Sequence, residues 1–481
     1  MVSLNKNLYY AKKTGNSTIK LYSEKADCLD DTLGPFVHVN LDGIVGYAGL
    51  VQGNNAGSYP SGMKVILEGN IYTIQECGYH KITITQPTNG QIKIAYNNNE
   101  YISSFDAITE GVYIVTVTPN EGYRLLELKI DDTSIDNGSS QSCNKPVNVT
   151  ATLVEVKLSY YGYANDLTIG RSGMAATTVG DYALFGGGRE TYYGTTIVDA
   201  YNPSLTKSNL TDLSAKTYQL AATTVGDYAL FAGGTSMDTS DSNAVDAYDS
   251  SLTKSTATAL SSARYDLAAT TVGDYALFAG GTRAVTTVDV YDSSLTKSTA
   301  TALSQGRHSL AATTVGDYAL FAGGLISTGL VNACNKVDAY DSSLTRISVA
   351  SLASIKCYPV ATTVGDYALF AGGFRYFSDG SSTDYLDVDV YDSSLTKSTA
   401  TALSFNRTRI GATTLGNYAL FSGNDQTNTL DVYDKFLTKS TENLNTKRAG
   451  IAATTVGDYA LFAGGGNLYD SFKTVEVYQL S

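Results

Sequence analysis

The chain of 481 residues carries 33 Lys+Arg against 46 Asp+Glu, a net charge of −13, and neither the part before Val156 nor the part after it is basic. That balance argues against nucleic-acid binding through a phosphate-neutralising surface, and with no apolar run of about 18 residues there is no segment for helical membrane insertion. A charged fraction of only 16%, 36 Tyr, 45 Gly and no Trp suit an all-β protein rich in turns, long enough for more than one domain.

Met1 to Gly15 lacks an apolar h-region, so no Sec signal is read. Residues 1–79 read as a small β domain of hairpins. Leu8–Ala11 and Thr18–Tyr22 flank a Gly15-Asn16-Ser17 turn, Phe36–Leu41 and Ile44–Leu50 flank Asp42-Gly43, and Lys64–Leu67 and Ile71–Ile74 flank Glu68-Gly69-Asn70. Residues 80–155 alternate cleanly, which predicts strands with Ile82, Ile84, Ile92, Ile94, Val115 and Val117 facing a core.

From Val156 onward, Ala221-Ala-Thr-Thr-Val-Gly-Asp-Tyr-Ala-Leu-Phe-Ala-Gly-Gly234 recurs seven times with small edits, its Thr pairs starting at Thr177, Thr223, Thr270, Thr313, Thr362, Thr413 and Thr454. Each copy is a hairpin about Gly-Asp, the glycine supplying the positive φ of a type II′ turn, and its apolar runs predict strands buried on both faces. Behind it, Val245-Asp-Ala-Tyr-Asp-Ser-Ser-Leu-Thr-Lys254 and its counterparts read as strand, turn and strand. Four short strands at a 41- to 51-residue period predict a seven-bladed β-propeller. The chain stops at a third strand, Val475–Ser481, so residues 156–167 should supply the fourth strand of the last blade and close the ring.

The diglycines (Gly187-Gly188, Gly233-Gly234, Gly280-Gly281, Gly323-Gly324, Gly372-Gly373, Gly464-Gly465) and the Val-Asp-x-Tyr third strands resemble kelch propellers; Ser422-Gly423-Asn424 departs, and the kelch fourth-strand Trp is absent throughout. The run Gly111–Tyr123 with Asn148–Thr152 resembles divergent internalin-type B repeats, which implies a spacer. The opening residues resemble N-terminal modules of tail-associated proteins of phages that infect Gram-positive gut bacteria, which implies an attachment base.

Little points to covalent chemistry. The repeats hold one histidine, His308, too few for a metal set or for the ligands of kelch-type copper oxidases, and the Trp-ended Asp boxes of sialidase-like propellers are missing. Cys28, Cys77, Cys143, Cys334 and Cys357 are odd in number and scattered, which reads as free thiols; Cys334 and Cys357 are the one pair close in the repeats. No catalytic residue, cofactor or metal is expected.

The recognition signal lies in the links that differ between copies. Those joining strands one to two and three to four are constant; those on the opposite face vary, which points to binding there. On that face a basic residue stands six positions before the Thr pair in six copies: Arg171, Arg264, Arg307, Lys356, Arg407 and Arg448. Because the first strand is innermost in kelch-like propellers, the resemblance implies a basic ring at the channel mouth. The other reading is a brace within each blade to Asp199, Asp289, Asp338, Asp389, Asp431 or Glu476. Aromatic candidates are Tyr192, Tyr193, Tyr265, Tyr358 and the loop Phe374-Arg375-Tyr376-Phe377, with His308 beside them.

These features together predict a non-enzymatic recognition protein: a phage tail-associated receptor-binding protein that takes a cell-surface glycan or protein on the variable face. Its small N-terminal domain would contact other virion proteins, and a homo-oligomer is admitted by analogy with other tail proteins. Virions assemble inside the host and leave by lysis, so an extracellular location needs no Sec signal. The alternatives are a bacterial surface adhesin and, more remotely, a glycan-active enzyme.

Overall fold

The computed structural model describes residues 80–481 apart from 109–110, 327–330, 407–408 and 468–469, together with the strands 8–13, 18–22, 37–40, 63–67, 70–76 and 79–85. The chain divides into two compact units, Met1–Val156 and Lys157–Ser481, and among the described residues there is no helix.

In the first unit a five-stranded sheet has the order 37–40, 18–22, 8–13, 70–76, 63–67, with 8–13 and 70–76 parallel and the other pairs antiparallel. The expected strand over 44–50 lies outside the described residues. Residues 79–155 form two further sheets, one of 140–142, 112–119, 90–96 and 99–101, the other of 133–134, 123–130, 147–155, 79–85 and 105–108. Their inner faces share one apolar cluster in which Ile82, Ile84, Ile92, Ile94, Val115 and Val117 are all buried, as period-two alternation dictates.

Among its described residues the second unit holds seven four-stranded antiparallel sheets and one two-stranded ribbon. Within one repeat the order follows the chain, as in 221–225, 228–232, 245–249, 254–256. The hairpin turn carries a positive φ at glycine, 51° at Gly226, and not at Asp227, as a type II′ turn requires. The second and third strands are buried on both faces, while the first alternates: Ala221, Thr223 and Val225 are buried, and Ala222 and Thr224 are half-buried. The seventh sheet takes its fourth strand from Leu158–Tyr163, antiparallel to Val475–Leu480.

Neighbouring sheets are joined through their first strands, each beside the next, and 452–456 lies beside 175–179. The Thr pairs explain themselves at this seam. The Thr177 and Thr224 hydroxyls are 2.8 Å apart, Thr223 and Thr271 2.9 Å, and Thr270 and Thr314 2.8 Å, so each strand is bonded to its successor. Phe and Tyr supply the apolar joint: Phe278 meets Tyr291 edge to face at 5.9 Å, both fully buried against the core of the preceding repeat.

The turn between third and fourth strands is held by its aspartate. Asp292 Oδ1 accepts the N–H groups of Ser294 and Thr296, each at 2.9 Å, and Leu295 is left-handed at φ 60°. Leucine rarely adopts that conformation; here it packs on the neighbouring core, which offsets the strain. The diglycine is a latch between sheets. Gly280 and Gly281 have φ of 68° and 118°, and the Gly281 N–H donates to Arg307 O of the next repeat at 3.0 Å. A Cβ on Gly281 would sit 3.0 Å from the Arg264 side chain.

Candidate functional site

The segment from the end of one fourth strand to the next first strand is a ladder of equivalent positions. Its basic residue is interior. Arg171, Arg264, Arg307, Lys356 and Arg448 are each 0% exposed, and each is paired with a third-strand acid. Arg171 Nη2 lies 2.8 Å from Asp199, Arg264 Nη2 2.8 Å from Asp289, Arg307 Nη1 2.9 Å from Asp338, Lys356 Nζ 3.3 Å from Asp389 and Arg448 Nη2 3.1 Å from Glu476. Each arginine also donates to a second-strand carbonyl of its own sheet, for example Arg264 to Phe278 O at 3.1 Å. The expectation of a basic ring open to ligand is corrected for these five: they are interior and brace their own sheets, and at Arg171 and Arg264 the diglycine backbone packs over the side chain. Arg407 lies outside the described residues.

Each acid is a node. Asp289 also accepts from the Ser261 N–H at 3.1 Å and faces Lys297 at 3.0 Å. Burial pushes its carboxyl up, yet Ser261, Arg264 and Lys297 together hold it below its ordinary value.

Two residues further along, every copy turns left-handed: Gly173, Gln219, Asp266, Ser309, Tyr358, Arg409 and Gly450 have φ from 52° to 70°. Their backbones are bonded one to the next, Gln219 N–H to Gly173 O at 3.0 Å, Asp266 to Gln219 at 3.0 Å, Ser309 to Asp266 at 2.8 Å, Tyr358 to Ser309 at 2.9 Å, Gly450 to Arg409 at 2.7 Å and Gly173 to Gly450 at 3.1 Å. Five non-glycine residues in that region are uncommon, and such outliers gather at functional sites. The chain of hydrogen bonds holds them in place.

All of these but Ser309 line a cavity of about 470 Å³, together with Arg189, Tyr192, Tyr218, Asp425, Asn467 and Asp470 among others. Asp266 Oδ2 accepts the hydroxyls of Ser309 and Tyr358, each at 3.0 Å, and His308 Nδ1 is 2.9 Å from Ser309 Oγ. Burial, reinforced by Asp266, pushes the Tyr358 hydroxyl well above its ordinary pKa. Arg409 lies over the Tyr358 ring at 5.8 Å and Arg189 over Tyr218 at 5.4 Å. Neither arginine has a carboxylate partner among the described residues, which leaves both guanidinium groups available to a ligand.

Of the aromatic candidates, Tyr358 and Tyr192 line the cavity. Phe374 is buried and stacks on Tyr358 at 5.7 Å, Tyr376 meets Phe374 edge to face at 5.0 Å, and Arg375 lies 4.9 Å over Phe377. This loop is a two-stranded ribbon, 374–376 with 382–384, whose Phe374 supports the cavity wall. Tyr193 is exposed and Tyr265 half-buried, neither lining the cavity. Cys143, Cys334 and Cys357 are buried and form no disulfide with one another, and burial pushes the Cys357 thiol up to about 12. Cys28 and Cys77 lie outside the described residues.

The sequence reading missed Arg189, Tyr218, Gln219, Asp266, Ser309 and Arg409. A signal existed: within a nearly constant segment, the two positions after the basic residue differ in almost every copy.

No protein-family model matches the chain, and no curated protein matches it. A solved structure titled "Structure of YjhT" is similar, with a TM-score of 0.45 and 11% identity over 66% of this chain and 99% of that one.

Proposed function

We propose that residues 157–481 form a closed, seven-bladed, kelch-like propeller that binds a cell-surface glycan in the cavity at its centre, without covalent chemistry. The observation that carries this reading is the convergence there of side chains that differ from copy to copy, while the rest of each repeat stays nearly constant. Asp266, Arg189, Arg409 and Gln219 supply acceptors and donors, and Tyr192, Tyr218 and Tyr358 supply amphipathic ring faces.

The proposed setting is a virion tail, with residues 1–79 as the attachment base and 80–155 as a spacer. The test is binding of the full chain to host cells before and after periodate or protease treatment, with Asp266→Asn and Arg409→Ala variants. Periodate should abolish binding, protease should spare it, and each variant should weaken it about tenfold or more, as for a lost hydrogen bond to a charged group. Protease-sensitive, periodate-resistant binding would replace the glycan with a protein ligand.

A further inference from the structure

The ring of left-handed residues is lopsided. Five copies place a side chain there, but Gly173 and Gly450 do not, and their repeats are neighbours in space. The preceding residues in those copies, Ser172 and Ala449, are also small and line the cavity. At the level of the left-handed residues that side of the cavity is therefore backbone, flanked by Arg189, Tyr192, Asn467 and Asp470 from the neighbouring links. A Cβ on Gly173 would meet nothing nearer than Gln219 N and Tyr218 Cβ, both at 4.0 Å, so the space is open. Across the ring, Asp266 has Oδ2 committed to Ser309 and Tyr358, and among the described residues no donor reaches Oδ1.

The lining comes from six of the seven repeats, all but the fourth, so the cavity is walled on most sides and is a pit more than a groove. An internal residue of a polysaccharide needs two open sides for the chain to enter and leave. A pit takes a chain end. At about 470 Å³ it is at the small end of ligand sites, which run from about 300 to 1,000 Å³.

The geometry points to recognition of the terminal residue of a saccharide chain. The sugar ring occupies the space left open at Gly173, and Asp266 Oδ1 accepts from its hydroxyls. Gly173 is thus specificity-determining through the side chain it lacks. This inference rests on the glycan reading and deepens it.

The experiment measures affinity of the full chain, by calorimetric titration, for a panel of oligosaccharides. Galactose, glucose, N-acetylglucosamine, rhamnose and glucuronic acid are each presented at a free non-reducing end, and again only as an internal residue between capped ends. The expected result is binding to one free-end series and at least a tenfold loss, about 1.4 kcal/mol, for its internal counterpart. Gly173→Gln copies the residue that the second repeat carries at φ 55°, so the backbone accepts it; it should cost at least about tenfold in affinity at an unchanged melting temperature. Equal affinity for internal and terminal presentation overturns the inference and leaves the glycan reading standing. So does full affinity in a folded Gly173→Gln. No binding to any saccharide, with protease-sensitive attachment to cells, overturns the glycan reading itself. The free-end comparison needs no variant, so misfolding of Gly173→Gln does not blunt the test.

Discussion

Asp289→Ala and Asp246→Ala make the same cut in two repeats, one with an arginine and one with a threonine at the bracing position. In the third repeat Asp289 holds the buried Arg264, and its removal leaves that guanidinium at 0% exposure with Phe278 O as its hydrogen-bond acceptor. Stranding one partner of a buried pair costs about 3–5 kcal/mol. In the second repeat the arginine is replaced by Thr217, whose hydroxyl donates to Gly233 O at 2.9 Å. Asp246 there binds Lys254 at 3.0 Å and the Ser214 N–H at 2.8 Å, and Lys254 keeps Asp212 O at 2.6 Å after the cut. That loss is worth about 2 kcal/mol. Unfolding entropy of about 2 cal/mol/K per residue over roughly 300 residues converts these costs to melting shifts of about 6 °C and about 3 °C. Scanning calorimetry of the full chain, read at the transition of the larger unit, measures both. A shift for Asp246→Ala equal to or larger than that for Asp289→Ala would refute the brace.

Acid should act through the same node: Asp289 is depressed when folded, so its contribution is complete above about pH 4, its unfolded value, and is lost as pH falls through the lower folded one. Asp289→Asn, though less stable at neutral pH, should therefore lose less than the parent on acidification from about pH 4 to about pH 2 in denaturant titrations. Among the described residues six third-strand tyrosines donate to a carbonyl, Tyr291 to Thr258 O at 2.7 Å among them, whereas the buried Tyr340 hydroxyl has no partner. Tyr291→Phe should cost about 1 kcal/mol and Tyr340→Phe should be neutral or stabilising, and urea midpoints giving the two the same loss would contradict this assignment. Deleting 157–163 removes the strand that completes the seventh sheet and exposes the edge of 475–480. The larger unit should lose its cooperative melt; retention of that transition at its original temperature would show that closure is dispensable.

Periodicity made the scaffold legible. The Gly-Asp turn and the Thr-Thr strand are local solutions that recur, with edits, seven times and the Asp-Ser-Ser-Leu turn six times, and the terminal half-repeat announced the strand 158–163. The basic position was visible too, but its choice between solvent and interior depends on the diglycine of one sheet closing over the arginine that braces it. That packing has no local signature. The left-handed ring was hidden for a different reason: nothing in Gln219, Ser309 or Tyr358 as residue types demands positive φ, and only the bonded ring of their backbones fixes it. Tyr192, Tyr358 and His308 were singled out as aromatic or rare residues in varying links. Asp266 and Arg409 escaped because charge alone did not distinguish them.

Replacing Gln219 and Arg409 together with glycine, the residue that two repeats already use at this position, tests the central claim most directly. Glycine relieves about 1–2 kcal/mol of left-handed strain at each site, offset by its own entropy cost of about 0.5–1 kcal/mol. Attachment of the full chain to host cells is measured beside its melt. The account predicts that attachment falls at least about tenfold while the melting temperature is unchanged or higher. Undiminished attachment by the folded variant would place recognition elsewhere on the protein.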